Sequence, residues 1–170
     1  MSATYYIKTY GCQMNVYDSE KMANLLQDRL NMRAADEPDH ADLVILNTCS
    51  IREKAQEKVF SELGRWHKKV IKNQDAVFAV TGCVAQQEAD AMFARAPFIH
   101  IVLGPQSLHQ LPLLYTAYRQ TKTRQIDVSF PKIEKFDSLP TPVSADVSSY
   151  LSIMEGCDKF CSYCIVPYTR

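Results

Sequence analysis

Four short apolar runs alternate with amphipathic stretches over the first 105 residues, and few folds accommodate that alternation. Tyr5 to Tyr10 alternates and is rich in aromatic and β-branched residues. Leu43-Val44-Ile45-Leu46 and Ala76-Val77-Phe78-Ala79-Val80 are continuous, and Ile99 to Leu103 is apolar apart from His100. Runs of this length, bounded by turn residues, suit strands of a parallel sheet covered on both faces. The stretches between them carry helical periodicity. Asp18 to Leu30 places Met22, Leu25, Leu26 and Leu30 on one face. From Ile51 onward Ala55, Val59, Leu63, Trp66 and Val70 form a second stripe, in which Trp66 is expected to be core. Gln86 to Arg95 and Ser107 to Arg119 continue the pattern, and Gln125 to Val128 reads as an edge strand. The expected fold is α/β, an open, mostly parallel sheet of Rossmann-like or flavodoxin-like type with helices on both faces and right-handed crossovers.

The character changes after residue 129. Residues 130–148 hold Pro131, Pro140 and Pro142 with little periodicity, which reads as a linker. Tyr150 to Met154 reads as a new strand opening into Cys157. The expected organisation is an α/β domain over 1–129, a linker over 130–148, and the truncated start of a second domain over 149–170.

Charge narrows the function classes. Nineteen Lys and Arg balance nineteen Asp and Glu, so a broadly basic nucleic-acid-binding domain is excluded, though a local patch is not. No apolar run approaches the roughly 20 residues of a membrane span. The opening Met-Ser-Ala-Thr-Tyr-Tyr-Ile has no basic stretch leading into an apolar one, so no secretory signal is expected and the location should be cytoplasmic. In that compartment six cysteines point to metal, cluster or redox use rather than to disulfides.

Three of the six follow successive strands: Tyr10-Gly11-Cys12, Asn47-Thr48-Cys49 and Thr81-Gly82-Cys83, spaced 37 and 34 positions apart. One strand, one helix and their loops take about 35 residues. The cysteines should therefore meet at the carboxyl edge of the sheet, where open α/β folds bind ligands. Ser50-Ile51-Arg52-Glu53 matches a capping box, which puts Cys49 one residue before a helix N-cap. Cys83 should precede its helix by two or three residues and Cys12 by five or six. Helix N-termini favour negative charge. Three small buried residues at tight turns would be the plain alternative, and structural zinc another, although zinc ordinarily takes four ligands. Three thiolates would leave an iron–sulfur cluster with one open iron.

The other three lie in Cys157-Asp158-Lys159-Phe160-Cys161-Ser162-Tyr163-Cys164, a C-x3-C-x2-C spacing that can wrap one metal centre. It differs from the paired spacing of zinc sites and from four-cysteine ferredoxin runs. Tyr163 could pack on a small chelating cofactor or simply pack the loop. Arg65, Lys68, Lys69 and Lys72 form a basic stretch, read as a solvated helix end or an RNA contact. His40, His67, His100, His109, Asp75 and Asp90 match no motif.

C-x3-C-x2-C with an aromatic before its last cysteine resembles the radical S-adenosylmethionine superfamily. The segments Lys8 to Asn15, Leu46 to Ala55, Gly82 to Gln86 and Ser152 to Cys157 resemble the methylthiotransferases within it, in the branch acting on prenylated adenosine of tRNA. The resemblance spans nearly the whole chain. It implies two four-iron four-sulfur clusters, an auxiliary one on Cys12, Cys49 and Cys83 and a radical one on Cys157, Cys161 and Cys164. It further implies S-adenosylmethionine as cofactor, with Tyr163 packing on it. The implied substrate is tRNA, and the implied reaction puts a methylthio group on carbon 2 of a prenylated adenosine beside the anticodon. The resemblance implies a further part of the barrel and a small RNA-binding β-domain beyond these 170 residues, so this stretch is expected to be inactive alone. Other substrates within the family, a ribosomal protein or a threonylcarbamoylated tRNA base, stay open. So do a two-cluster electron carrier and a zinc-stabilised binding module.

Overall fold

The computed structural model describes residues 2–50, 55–70, 72–130, 150 and 152–170. The capping box after Ser50 and the linker at 130–148 fall almost wholly outside these residues.

Six parallel strands form one sheet in the order β2-β1-β3-β4-β5-β6. They are β1 (Thr4–Thr9), β2 (Arg33–Ala34), β3 (Leu43–Thr48), β4 (Val77–Gly82), β5 (Ile101–Leu103) and β6 (Gln125–Asp127). Five were legible as apolar runs or as an edge strand. β2 was not, because two exposed residues pairing with Thr4 and Tyr5 leave no periodic trace.

The central strands are buried on both faces and divide their side chains by parity. Leu43, Ile45, Val77, Ala79, Ile101 and Leu103 pack under helices α1 (Gln13–Leu30) and α5 (Leu111–Thr121). Val44, Leu46, Phe78, Val80 and Val102 pack under α2 (Ala55–Arg65), α3 (Cys83–Glu88) and α4 (Ala91–Arg95). The stripe residues Val59, Leu63 and Trp66 are each at most 2% exposed, so Trp66 is core as expected. A π-helical turn at Trp66–Val70 closes α2.

Three expectations are corrected. The single helix over Gln86–Arg95 is two, because Ala89 takes φ +45° and breaks it. Crossover hand is not uniform. The steps from β4 to β5 and from β5 to β6 run the same way across the sheet, but their helices lie on opposite faces. The last crossover therefore has the opposite hand. The reason is coverage: α1 alone cannot shield Ile101 and Leu103, and α5 closes that face with Leu111 and Tyr115. Lastly, residues 150 and 152–154 are not in a strand, and among the described residues no strand pairs with them. A short helix α6 (Val166–Thr169) instead docks on α3. No described helix is long and apolar enough to cross a membrane.

His100 supplies a pH-dependent part of the fold. The Phe78 N–H donates to His100 Nδ1 at 3.0 Å, which requires a neutral ring. Burial lowers its pKa from 6.5 to about 4, helped by the positive charges of Arg124 and Lys122. The unfolded chain binds more proton between these values. Stability should therefore be complete above about pH 6.5 and fall as the pH drops toward 4, by about 2 kcal/mol after allowing for solvent screening. Urea unfolding across this range should show that slope, and His100→Gln should flatten it.

Candidate metal centre at the carboxyl edge of the sheet

β1, β3 and β4 end on the same edge; Cys49 and Cys83 directly follow β3 and β4, and Cys12 comes three residues after β1. The order reverses between β1, whose helix leads back to β2, and β3, which leads on to β4. Cys12 and Cys49 flank that switch point, the usual ligand crevice of such sheets. Cys12 is the N-cap of α1 and Cys83 is the first residue of α3. Both sit closer to their helices than the apolar pattern implied, because the polar first turn Gln13-Met14-Asn15 and the short α3 carry little periodicity. The N-terminus of the helix after Cys49 lies outside the described residues.

The loops are packed tightly. Gly11, at φ +139°, lies so close to the β3 loop that a Cβ built on it would stand 2.6 Å from Cys49 Cβ. Gly82, at φ +92°, faces Thr48: a Cβ there would overlap the Thr48 carbonyl oxygen and stand 2.7 Å from Asn47 Oδ1. Only glycine serves where a positive φ and backbone contact coincide.

A buried amide pair ties the strand ends together. Asn15 Nδ2 donates to Asn47 Oδ1 (3.0 Å) and to the Thr48 carbonyl (2.9 Å). Asn47 Nδ2 donates to the Asn15 carbonyl (2.8 Å) and to Ser19 Oγ (2.9 Å). Asn15 Oδ1 also accepts from the Cys12 N–H and thiol, each at 3.4 Å. Thr48 Oγ1 donates to the Thr81 carbonyl at 2.6 Å, joining β3 to β4. Sequence reasoning assigned none of these residues a role. A polar Asn closing an otherwise apolar strand was the available signal.

Cys49 and Cys83 are buried and Cys12 is exposed; none is in a disulfide. Cys12 and Cys83 line one cavity of about 210 Å³ with Met14 and Ser50. The Ser50 hydroxyl is buried with no hydrogen-bond partner among the described residues. Met154, Glu155 and Arg170 close the cavity from the other side. Arg170 Nη2 pairs with Asp18 Oδ2 at 2.6 Å, and Nη1 with Glu155 Oε1. Burial opposes the guanidinium charge, but Asp18, Cys83 and Glu155 outweigh it and hold the pKa above its ordinary value.

The second cysteine set lies on the loop that this pairing closes. Cys157 and Cys161 are exposed, Cys164 is half-buried, and the Tyr163 ring is almost wholly in solvent. Among the described residues no three His, Cys, Asp or Glu side chains stand in the arrangement of a single metal site. The first three thiols share an edge, and the second three a loop, without either set being closed on a centre. Other candidates stay apart. Arg65 pairs with Glu62 (2.6 Å) and Lys72 with Asp39 (3.2 Å), so the basic stretch is partly neutralised.

Residues 4–104 match the family described as "Uncharacterized protein family UPF0004". The chain belongs to that family. This UPF0004 chain is also similar to curated relatives named tRNA-2-methylthio-N(6)-dimethylallyladenosine synthase. It is 56% identical to the Stenotrophomonas maltophilia (strain R551-3) protein over 97% of the chain and 35% of that relative. It is 54% identical to the Ectopseudomonas mendocina protein over 100% of the chain and 38% of that relative. The Xylella fastidiosa (strain M12) protein is 54% identical over 97% of the chain and 33% of its own length. The UPF0004 chain thus spans about a third of the relatives it matches.

Proposed function

We propose that this chain is the cluster-bearing part of a cytoplasmic tRNA methylthiotransferase, which places a methylthio group on carbon 2 of a prenylated adenosine beside the anticodon. The observation that carries this reading is the gathering of Cys12, Cys49 and Cys83 on three adjacent strand ends, with Cys12 and Cys83 on the wall of one cavity. Similarity to the synthases supports the substrate.

The residues present fit a sulfur-bridged iron cluster on each set. Six cysteines split three and three leave each set without a fourth thiolate, which suits a centre with one open iron. The unpartnered Ser50 hydroxyl offers a hydrogen bond to a sulfide. When bound, the cluster on Cys157, Cys161 and Cys164 would supply one-electron cleavage of S-adenosylmethionine, and that on Cys12, Cys49 and Cys83 the sulfur to be transferred. An aromatic C–H offers general acid–base catalysis no acidic proton, so the chain's own groups hold and orient rather than move protons. The Asn15–Asn47 pair ties the start of α1 to the end of β3, Thr48 ties β3 to β4, and Tyr163 would pack on the cofactor. tRNA would be bound mainly by parts of the protein outside this chain.

Anaerobic reconstitution tests the reading. Iron and sulfide should bind in comparable amounts, whereas zinc alone would support a structural site instead. Cys49→Ala should lower iron content by roughly half, because one of two equal clusters is lost. It should cost only about 1 kcal/mol in urea unfolding of the apo chain, since the apolar strands build the core without it. Unchanged iron in Cys49→Ala would remove Cys49 from the ligand set.

A further inference from the structure

The ion triad at the seam has a role of its own. Asp18 belongs to α1, the helix that Cys12 caps, and Glu155 lies two residues before Cys157. Arg170 reaches both, one carboxylate on each terminal nitrogen. The side chains of Arg170, Asp18 and Glu155 are 8%, 1% and 5% exposed. A lysine has one ammonium and cannot present this fork. Gly156, at φ +82°, packs on the Arg170 backbone, where a Cβ would stand 2.9 Å from the carbonyl oxygen. The two ends of the cysteine loop therefore meet, and α6 rests on α3, which begins with Cys83.

We propose that Arg170 is a positioning residue: by bridging Asp18 and Glu155 it latches the C-x3-C-x2-C loop onto the carboxyl edge of the sheet, over Cys83. The latch stands on this geometry alone. Its consequence, that the second cysteine loop is held beside the cavity lined by Cys12 and Cys83, rests on the function proposed above. Removing Arg170 strands two buried carboxylates, and neutralising Glu155 leaves the guanidinium held by Asp18 alone; losing a buried partner is far more costly than never burying the charges. The loop should then swing away and uncover Cys83.

The test is pulse alkylation of the apo chain, with each cysteine quantified by peptide mass spectrometry. Arg170→Met should raise the Cys83 rate on the order of 100-fold, the scale expected for a broken buried pair. Arg170→Lys, which keeps charge but not the fork, should fall in between. Cys12, already exposed, should label at an unchanged rate. Glu155→Gln alters the loop side only and should speed Cys83 as well. If circular dichroism shows that Arg170→Met does not fold, Glu155→Gln decides. Cys83 labelling within twofold of the parent in a natively folded Glu155→Gln variant, or in a folded Arg170→Met variant, overturns the latch. Iron binding is measured separately. A chain that shows the alkylation pattern but binds no iron keeps the latch and refutes the cluster reading.

Discussion

Gly82→Ala is expected to destabilise the domain by about 3–5 kcal/mol, enough to unfold a large share of a domain whose total stability is typically about 5–15 kcal/mol. Two costs combine. The backbone at φ +92° disfavours any side chain, and the new methyl overlaps the Thr48 carbonyl, a backbone atom that cannot swing aside. Relief would require β3 and β4 to separate at their ends, where Thr48 Oγ1 bonds the Thr81 carbonyl. Gly64→Ala is the control. Gly64 lies in α2 with nothing within 4 Å of a new Cβ, so the same change should stabilise by about 1 kcal/mol through helix propensity. Urea midpoints should move in opposite directions. A Gly82→Ala midpoint close to the parent's would mean that the strand ends are looser than their packing implies.

The 170-residue chain alone is expected to form no methylthiolated tRNA, while a chain extended to the length of its relatives does. Radical chemistry needs an enclosed site that excludes water and competing reactions. Here Tyr163 is 91% exposed, Ile153 92%, Met154 78% and Phe160 69%, and Cys157 and Cys161 are open to solvent. Bound S-adenosylmethionine would have one wall at most. An anaerobic assay with reductant, S-adenosylmethionine and prenylated tRNA distinguishes the cases. Product from the short chain would show that the cavity beside Cys12 and Cys83 suffices as the reaction chamber.

Both expectations use features that differ in how far they could be read from the chain. The strand runs and the placement of Cys12, Cys49 and Cys83 after them were legible, because apolar runs and strand–helix spacing are local properties that sheet topology turns into a common edge. The Gly-Cys pairs at 11–12, 82–83 and 156–157 were visible as well, although their positive φ angles emerged only in the fold. Helix starts were misjudged by several residues, since Cys12 begins α1 with a polar first turn that hydrophobic periodicity does not register.

Sequence by itself determined the parallel α/β class, the burial of the central strands on both faces, and the place of Cys12, Cys49 and Cys83 after successive strands, because each follows from patterns within about 40 residues. Tertiary structure alone decided the rest. β2 exists because β1 has an open edge, and α5 crosses with the opposite hand because one face of the sheet lacked cover. Asn15 and Asn47 found each other across 32 positions, and Arg170 found Asp18 across 152. Buried polar groups must be paired, but nothing local to Asn47 or Arg170 says with which partner; that choice is made only when the packed core brings distant donors and acceptors within reach.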